Sequence, residues 1–338
     1  MSSPRVVALG GGHGLFATLT SLRAITSQIT AIVTVADNGG SSGRLREEFP
    51  IFPPGDLRMA LAALCSDDEW GRSWAEIMQY RFTSDGPLDG HAVGNLLLAA
   101  LWDRDEDPVE GLDRVGALLK VVGRVLPMAS QPLDIEATFF DKGEQIIVRG
   151  QKEVATTTGR FDSLRLIPEN PLARPEAIAA ISDADWITMG PGSWISSVLP
   201  HLLVPEQVRA LTQSSAKKIL LLNLEDADSG EFSGRSALDH ISALQKLAPE
   251  LSFDFVVADP SLVLEPAAAQ LLKEKVSTQG GELLVQDPQA AELLGEKVST
   301  LGGELLVRDL RLQGSANHHD TKKLTSLFAH IAGKTLVG

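Results

Sequence analysis

The sequence predicts an α/β fold, a mostly parallel sheet with helices on both faces and a small antiparallel β insert. Three observations carry this expectation. Short apolar runs alternate with helical periodicity in both halves of the chain, as strands alternate with crossover helices in a parallel sheet. Glycine-rich turns follow three of those runs. Between the halves the pattern changes to a two-residue period, that of a half-buried antiparallel strand.

In chain order, Arg5 to Leu9 is an apolar run ending in Gly10-Gly11-Gly12-His13-Gly14, after which Leu15, Leu19 and Leu22 fall at helical spacing. Ala31 to Val35 is β-branched enough for the next strand, closing one βαβ unit. A second glycine loop, Asn38 to Arg44, follows that strand. Pro53-Pro54-Gly55-Asp56 reads as a turn closed by Asp56 as N-cap, because Leu57, Ala60, Leu61 and Leu64 form an apolar stripe. Asp107-Pro108 is another helix start, leading into Val109, Leu112, Val115, Leu119 and Val122. Leu133, Ile135, Ala137 and Phe139 then alternate with Asp134, Glu136 and Thr138. Asp141-Lys142-Gly143 is a turn, and Gln145 to Arg149 is its return strand. From Pro175 the α/β rhythm resumes, with strands expected at 185–189, 219–224 and 253–258.

This organisation divides the chain into a Rossmann-like N-terminal half over 1–130, the insert over 131–170, and a second α/β half over 171–338 that completes a ligand cleft. One repeat stands out: Glu274 to Val285 recurs as Glu296 to Val307, at an offset of 22 residues. Two copies are too few for a solenoid, so the segment 274–309 reads as a local duplication adding one helix–strand element.

Composition narrows the function. The 338 residues carry 30 Lys plus Arg against 44 Asp plus Glu, a net charge of −14, which argues against nucleic acid or an anionic membrane as the main partner. A hydrophobic fraction of 43% suffices for a sizeable core. One cysteine, Cys65, makes neither an intramolecular disulfide nor a Cys-rich metal site, and its place on an apolar stripe reads as core. With no signal-peptide layout and no long apolar stretch, the expectation is a cytoplasmic protein without membrane insertion.

The chemistry is written in the glycine turns. At the carboxyl edge of a parallel sheet, helix N-termini point N–H groups at anions. Gly12-His13-Gly14-Leu15-Phe16-Ala17 fits G-x-G-x-x-A after a strand, which alone is a weak dinucleotide signal. In the second loop Gly39, Gly40 and Gly43 permit close backbone approach, Ser41 and Ser42 offer hydroxyls, and Arg44 or Arg46 can hold phosphate by forked donation. Gly190-Pro191-Gly192-Ser193 again follows a strand. Gly90-His91-Ala92-Val93-Gly94-Asn95 adds a polar cluster, with His91 either a general acid, a phosphate-orienting group or a helix-start cap. Asp37 and Asp56 can hold Mg²⁺ beside a diphosphate. His318-His319 reads as a solvated loop.

Taken together, Gly10 to Leu15, Val33 to Arg46, Pro53 to Arg58, Gly90 to Leu96, Gly190 to Ser193 and Asp239-His240 resemble the gluconeogenesis factor family, the YvcK-type bacterial proteins. That family is similar to the 2-phospho-L-lactate transferase (CofD-like) superfamily, and the likeness runs from about Val6 to the Ala329 region. The resemblance implies a Rossmann-like core that binds UDP-sugars such as UDP-N-acetylglucosamine, and a regulatory role in cell shape and cell-wall precursor supply under gluconeogenic growth. It implies no established reaction. Carried over by motif, the ligand-contact candidates are Gly12, Gly14, Asp37, Gly40, Ser41, Ser42, Arg44, Asn95, Gly192 and Ser193.

The chain departs from the family pattern at His13 (usually Thr), Asn38 (Asp), Met59 (Asn) and Ala92 (Ser), and after Asn223, where Leu224 to Ser229 replace a Met-Thr-Gln-Pro stretch. These changes bear on metal binding and catalysis more than on nucleotide binding. Two alternatives to a nucleotide-sugar-binding regulator stay open: a CofD-like transferase using a nucleotide diphosphate donor with Mg²⁺, and an NAD(P) oxidoreductase suggested by Gly12-x-Gly14. The partner is a small nucleotide sugar rather than nucleic acid. A homodimer is compatible with the sequence, which names no regulatory protein partner.

Overall fold

A computed structural model describes residues 3–104, 107–224, 237–260, 294–299, 302–315 and 318–337. Its first half runs β1 (Val6–Gly10), α1 (Gly12–Leu22), β2 (Ile29–Val33), α2 (Gly40–Glu48), α3 (Pro54–Leu64), α4 (Glu69–Gln79), α5 (Val93–Arg104), α6 (Pro108–Leu119) and β3 (Arg124–Pro127). The insert follows as β4 (Asp134–Asp141), β5 (Glu144–Arg149), α7 (Gln151–Thr156) and β6 (Arg160–Ile167). The second half holds α8 (Pro175–Asp183), β7 (Trp186–Met189), α9 (Pro205–Gln213), β8 (Lys217–Leu221), α10 (Ala237–Leu247), β9 (Phe255–Ala258), β10 (Glu304–Val307) and α11 (Thr321–Val337).

The main sheet has the order β10-β9-β8-β7-β1-β2-β3 with every pairing parallel, as the alternating rhythm predicts. Helices cover both of its faces, so the central strands are apolar throughout: every residue of β1, β7 and β9 is buried, whereas the edge strands β3 and β10 each begin with an exposed charge. The insert is a three-stranded antiparallel sheet, order β5-β4-β6. Its alternating residues Ile135, Ala137 and Phe139 are fully buried, and Phe139 meets Phe161 edge-on at 5.9 Å between ring centroids. The Lys142-Gly143 turn carries positive φ at both positions, which suits a two-residue hairpin.

Several local expectations need correction. Pro53, not Asp56, occupies the cap of α3, and Asp56 lies one turn in with its carboxyl aimed inward at Thr34. Pro54 at the first helical position has no N–H to satisfy, which relieves the need for a side-chain cap. The second glycine loop is shorter than expected, because α2 begins at Gly40 and takes Ser41 to Arg44 into its first turns. Of the duplicated segment, the first copy lies outside the described residues. The second contributes helical residues 296–299 and strand β10, which adds one edge strand beside β9.

Two crossings hold the layers at the carboxyl edge of the sheet. In α1, a Cβ at Gly14 would overlap the Pro191 carbonyl and lie 2.8 Å from the Gly192 Cα, so the turn after β1 and the turn after β7 touch backbone to backbone. On the far face of α1, the Ser21 hydroxyl donates to the Thr321 carbonyl at 2.9 Å and seats α11. Gly14→Ala should therefore lose stability by at least the usual overpacking cost, about 1–3 kcal/mol, since backbone cannot swing aside as a side-chain tip can. Urea unfolding checks this: a lower midpoint at unchanged m is expected, and an unchanged midpoint rejects the contact.

Candidate functional site

The strand order places a switch point between β1 and β7: from β1 the chain proceeds outward to β2 and β3, and later returns on β1's other side through β7. Ligands of open parallel sheets bind outside the carboxyl ends at such a point. Here the ends of β1, β2 and β7 deliver the three glycine turns to one edge, so Gly12, Gly14, Asp37, Gly40, Gly192 and Ser193 share one crevice region.

In the first turn Gly12 takes φ +58°, and the Leu15 N–H closes the first helical bond on the Gly11 carbonyl. The N–H groups of His13 and Gly14 thus precede the ladder. The Gly12 N–H is already used, donating to the Asp56 carboxyl, which also accepts the Thr34 hydroxyl at 3.2 Å. Burial, then the neighbouring Asp37 carboxylate, push the Asp56 carboxyl up to about 7. Beneath the turn His201 is fully buried between the Gly10 carbonyl at 3.4 Å and the Gln207 amide at 2.9 Å. Burial pushes it down to about 4, so it is a neutral strut.

The second turn is held by its own side chains. The Asp37 carboxylate accepts the Gly39 N–H at 2.8 Å, and Gly40 enters α2 at φ +48°. The Ser42 hydroxyl accepts the Gly55 N–H at 3.0 Å and fixes the start of α3. Ser41 instead joins α5: its Oγ accepts Asn95 Nδ2 at 3.0 Å and lies 3.0 Å from His91 Nδ1. Asn38 points away toward the insert, donating to Glu153 at 2.8 Å and accepting the Lys152 N–H at 3.0 Å.

In the third turn the Gly192 N–H donates to Asn223 Oδ1 at 2.7 Å, and Ser193 Oγ accepts the Ser196 N–H at 3.1 Å, capping the π-helical turn Trp194–Val198.

The arginines divide by role. Arg44 is exposed and donates to the carbonyls of Asp89 at 2.6 Å and Pro87 at 3.5 Å, which satisfy its hydrogens without neutralising its charge. Arg46 bonds the Asp37 carbonyl at 3.2 Å and Asp134 at 2.9 Å, tying the second turn to the insert. Arg58, which no local motif marks as functional, is only 3% exposed; it donates to Gln79 Oε1, while its Nε has no partner among the described residues. Burial lowers it to about 10. Arg58 lies beside the apolar stripe Leu57, Ala60, Leu61 and is buried because every residue of α3 is. His318 is exposed in its loop, as expected, and its ring meets His13 edge-on at 5.9 Å; burial, then His318 and Arg58, depress the His13 imidazole. His319 departs from expectation, because burial pushes its imidazole down to about 4. Cys65, at the C-terminal cap of α3, is buried, as expected.

The family model for 2-phospho-L-lactate transferase CofD matches residues 6–299. The chain belongs to the CofD family. Within reach of this CofD-family chain, a Mycobacterium tuberculosis relative is 49% identical over 262 residues, 76% of either chain. The Listeria innocua protein named "Gluconeogenesis factor" is 38% identical over 245 residues, 72% of this chain and 74% of its own. The crystal structure of a UPF0052 family member from Bacillus halodurans superposes with a TM-score of 0.79 at 32% identity, covering 97% of this chain and 99% of that one. The resemblance read from the motifs, and the α/β architecture with it, are thereby established. No helix among the described residues is long and apolar enough to cross a membrane.

The buried Asp56 gives a pH test. Its carboxyl is raised in the fold and ordinary in the unfolded chain, so its stabilising contribution is complete below about 4 and is lost as pH rises to about 7. Asp56→Asn, which cannot ionise, should gain stability relative to the unmutated chain between pH 4 and 8. Denaturant unfolding across that range reads the difference, and a constant difference rejects the raised carboxyl.

Proposed function

We propose that this CofD-family chain binds a nucleotide diphosphate sugar, of the UDP-N-acetylglucosamine or UDP-glucose type, and acts as a regulator of gluconeogenic growth and cell-wall precursor supply in the cytoplasm. The supporting observation is the meeting of three glycine turns and the N-termini of α1 and α2 at the switch point, a set of backbone donors suited to paired phosphates. The gluconeogenesis-factor names of its relatives support the regulatory part.

A second reading, a transferase on a nucleotide diphosphate donor, is favoured by one feature. Asp37 and Asp56 lie close enough for the first to raise the second, and a divalent cation would relieve that repulsion. Among the described residues no three His, Cys, Asp or Glu gather at one point. Mg²⁺ commonly takes one or two carboxylates and completes its shell with phosphate oxygens and water, so Asp37 and Asp56 fit it. There it would neutralise diphosphate charge. Asn38 is not part of that set, because both of its amide atoms are engaged by the insert.

UDP-N-acetylglucosamine or UDP-glucose should raise the melting temperature, with NAD and NADP leaving it unchanged. A shift with NADP alone would replace the proposal with an oxidoreductase. Arg44, on the first turns of α2, has no carboxylate partner among the described residues. Arg44→Ala should weaken UDP-sugar binding by about 1.5–3 kcal/mol, roughly 10- to 150-fold, with Arg44→Lys recovering part. Calorimetric titration decides it, and wild-type affinity in Arg44→Ala rejects the assignment.

A further inference from the structure

Hydrogen-bond accounting beneath the second turn leads to His91. Ser41, His91 and Asn95 are 3%, 7% and 1% exposed, so each polar atom there has few partners to choose from. Asn95 Nδ2 donates to Ser41 Oγ, leaving Asn95 Oδ1 buried with no partner among the described residues. Ser41 Oγ then has one hydrogen to give, and His91 Nδ1, 3.0 Å away, receives it when the ring's own hydrogen is on Nε2. Burial, then Arg44 and Arg81, lower the ring, and Glu48 on α2 opposes them, so the ring is neutral in the free protein at pH 7.5. In the neutral tautomer with its hydrogen on Nε2, the hydroxyl hydrogen points at the ring. A phosphate on the N-terminus of α2 accepts hydrogen bonds and offers none, so it finds at Ser41 Oγ only a lone pair.

We propose that His91 is a positioning residue for the ligand's phosphate, acting through Ser41: the ring takes up a proton as the phosphate docks, donates from Nδ1 to Ser41 Oγ, and turns the hydroxyl hydrogen to the phosphate oxygen. One proton enters from solvent, no covalent bond changes, and the anion's charge offsets the two arginines that otherwise oppose the imidazolium. Asn95 keeps its bond to Ser41 in both states and fixes the oxygen while the hydrogen turns. The proposal rests on the nucleotide-diphosphate reading above and adds to it a proton-linked specificity for phosphate over neutral acceptors.

Calorimetric titration of the full chain with UDP-N-acetylglucosamine, whose diphosphate diester does not titrate near neutral pH, tests it. At pH 7.5, buffers of high and low ionisation enthalpy should give different apparent enthalpies, reporting proton uptake of up to one per site. Affinity should fall by up to tenfold per pH unit as pH rises above the free ring's value. His91→Gln provides a permanent amide donor to Ser41; it should still bind and should lose both the buffer dependence and the slope. Proton exchange at Asp56, on the other side of the turn, would persist in His91→Gln and so is separated. Binding with equal enthalpy in both buffers, or an unchanged slope in His91→Gln, overturns this proposal alone. Absence of binding by both proteins overturns the nucleotide-diphosphate reading, and this one with it.

Discussion

The backbone contact between Gly14 and the Pro191 carbonyl is the constraint on which the rest of the site depends. It joins the turn after β1 to the turn after β7 at the place where the sheet order reverses, and only a residue without a Cβ allows it. The candidate ligand site hangs from that edge. Asp56 and Thr34 pack against the back of the first turn, a Cβ at Gly11 meeting each at 2.5 Å, while Ser42 and Asp37 pack against Gly55. Three separate strand ends become one surface because their turns press on a shared α3 N-terminus and on each other.

Charge in this protein is local rather than global. The chain carries −14, yet Arg44 and Arg81 both act on His91, and Arg58 feels Asp56 and Asp37. The general field therefore opposes a polyanion, and only a small anion that reaches the turns gains from them. Burial sharpens this. Arg58 is lowered and Asp56 raised by loss of water, so each buried charge costs less when a ligand or cation of opposite sign arrives.

Much of the fold was legible because it rests on period and punctuation. Parallel strands buried on both faces read as continuous apolar runs, the insert as alternation, and the turns as glycine clusters. The site was legible only as far as glycine is diagnostic. Serine and aspartate are not, since each serves a cap, a turn or a ligand equally well: Ser42 pins α3, Ser193 caps a helical turn, and Ser41 alone joins the buried chain to α5. Arg46 reads locally as a phosphate ligand, but its partner Asp134 lies 88 residues away on β4. No local pattern contains that distance. The same holds for His318, which reaches the first turn from the far end of the chain.

Asn38 shows how a departure from a family pattern acquires meaning once its surroundings are known. As an amide it donates to Glu153 and accepts from the Lys152 N–H, two bonds of opposite sense from one side chain. An aspartate could keep the second bond but not the first, and would set two carboxylates against each other at hydrogen-bond distance. The bond to Asn38 is also the largest cause of Glu153's lowered pKa. On the adjacent helical turn Gln151 donates to Ser196 at 3.2 Å, so α7 reaches the second turn through Asn38 and the segment after the third turn through Gln151. The amide at 38 therefore serves the insert's attachment to the crevice, with Arg46 and Arg149 converging on Asp134 as the second fastening. What the position gives up as a metal carboxylate it regains as the joint between the antiparallel insert and the edge where the ligand is proposed to sit.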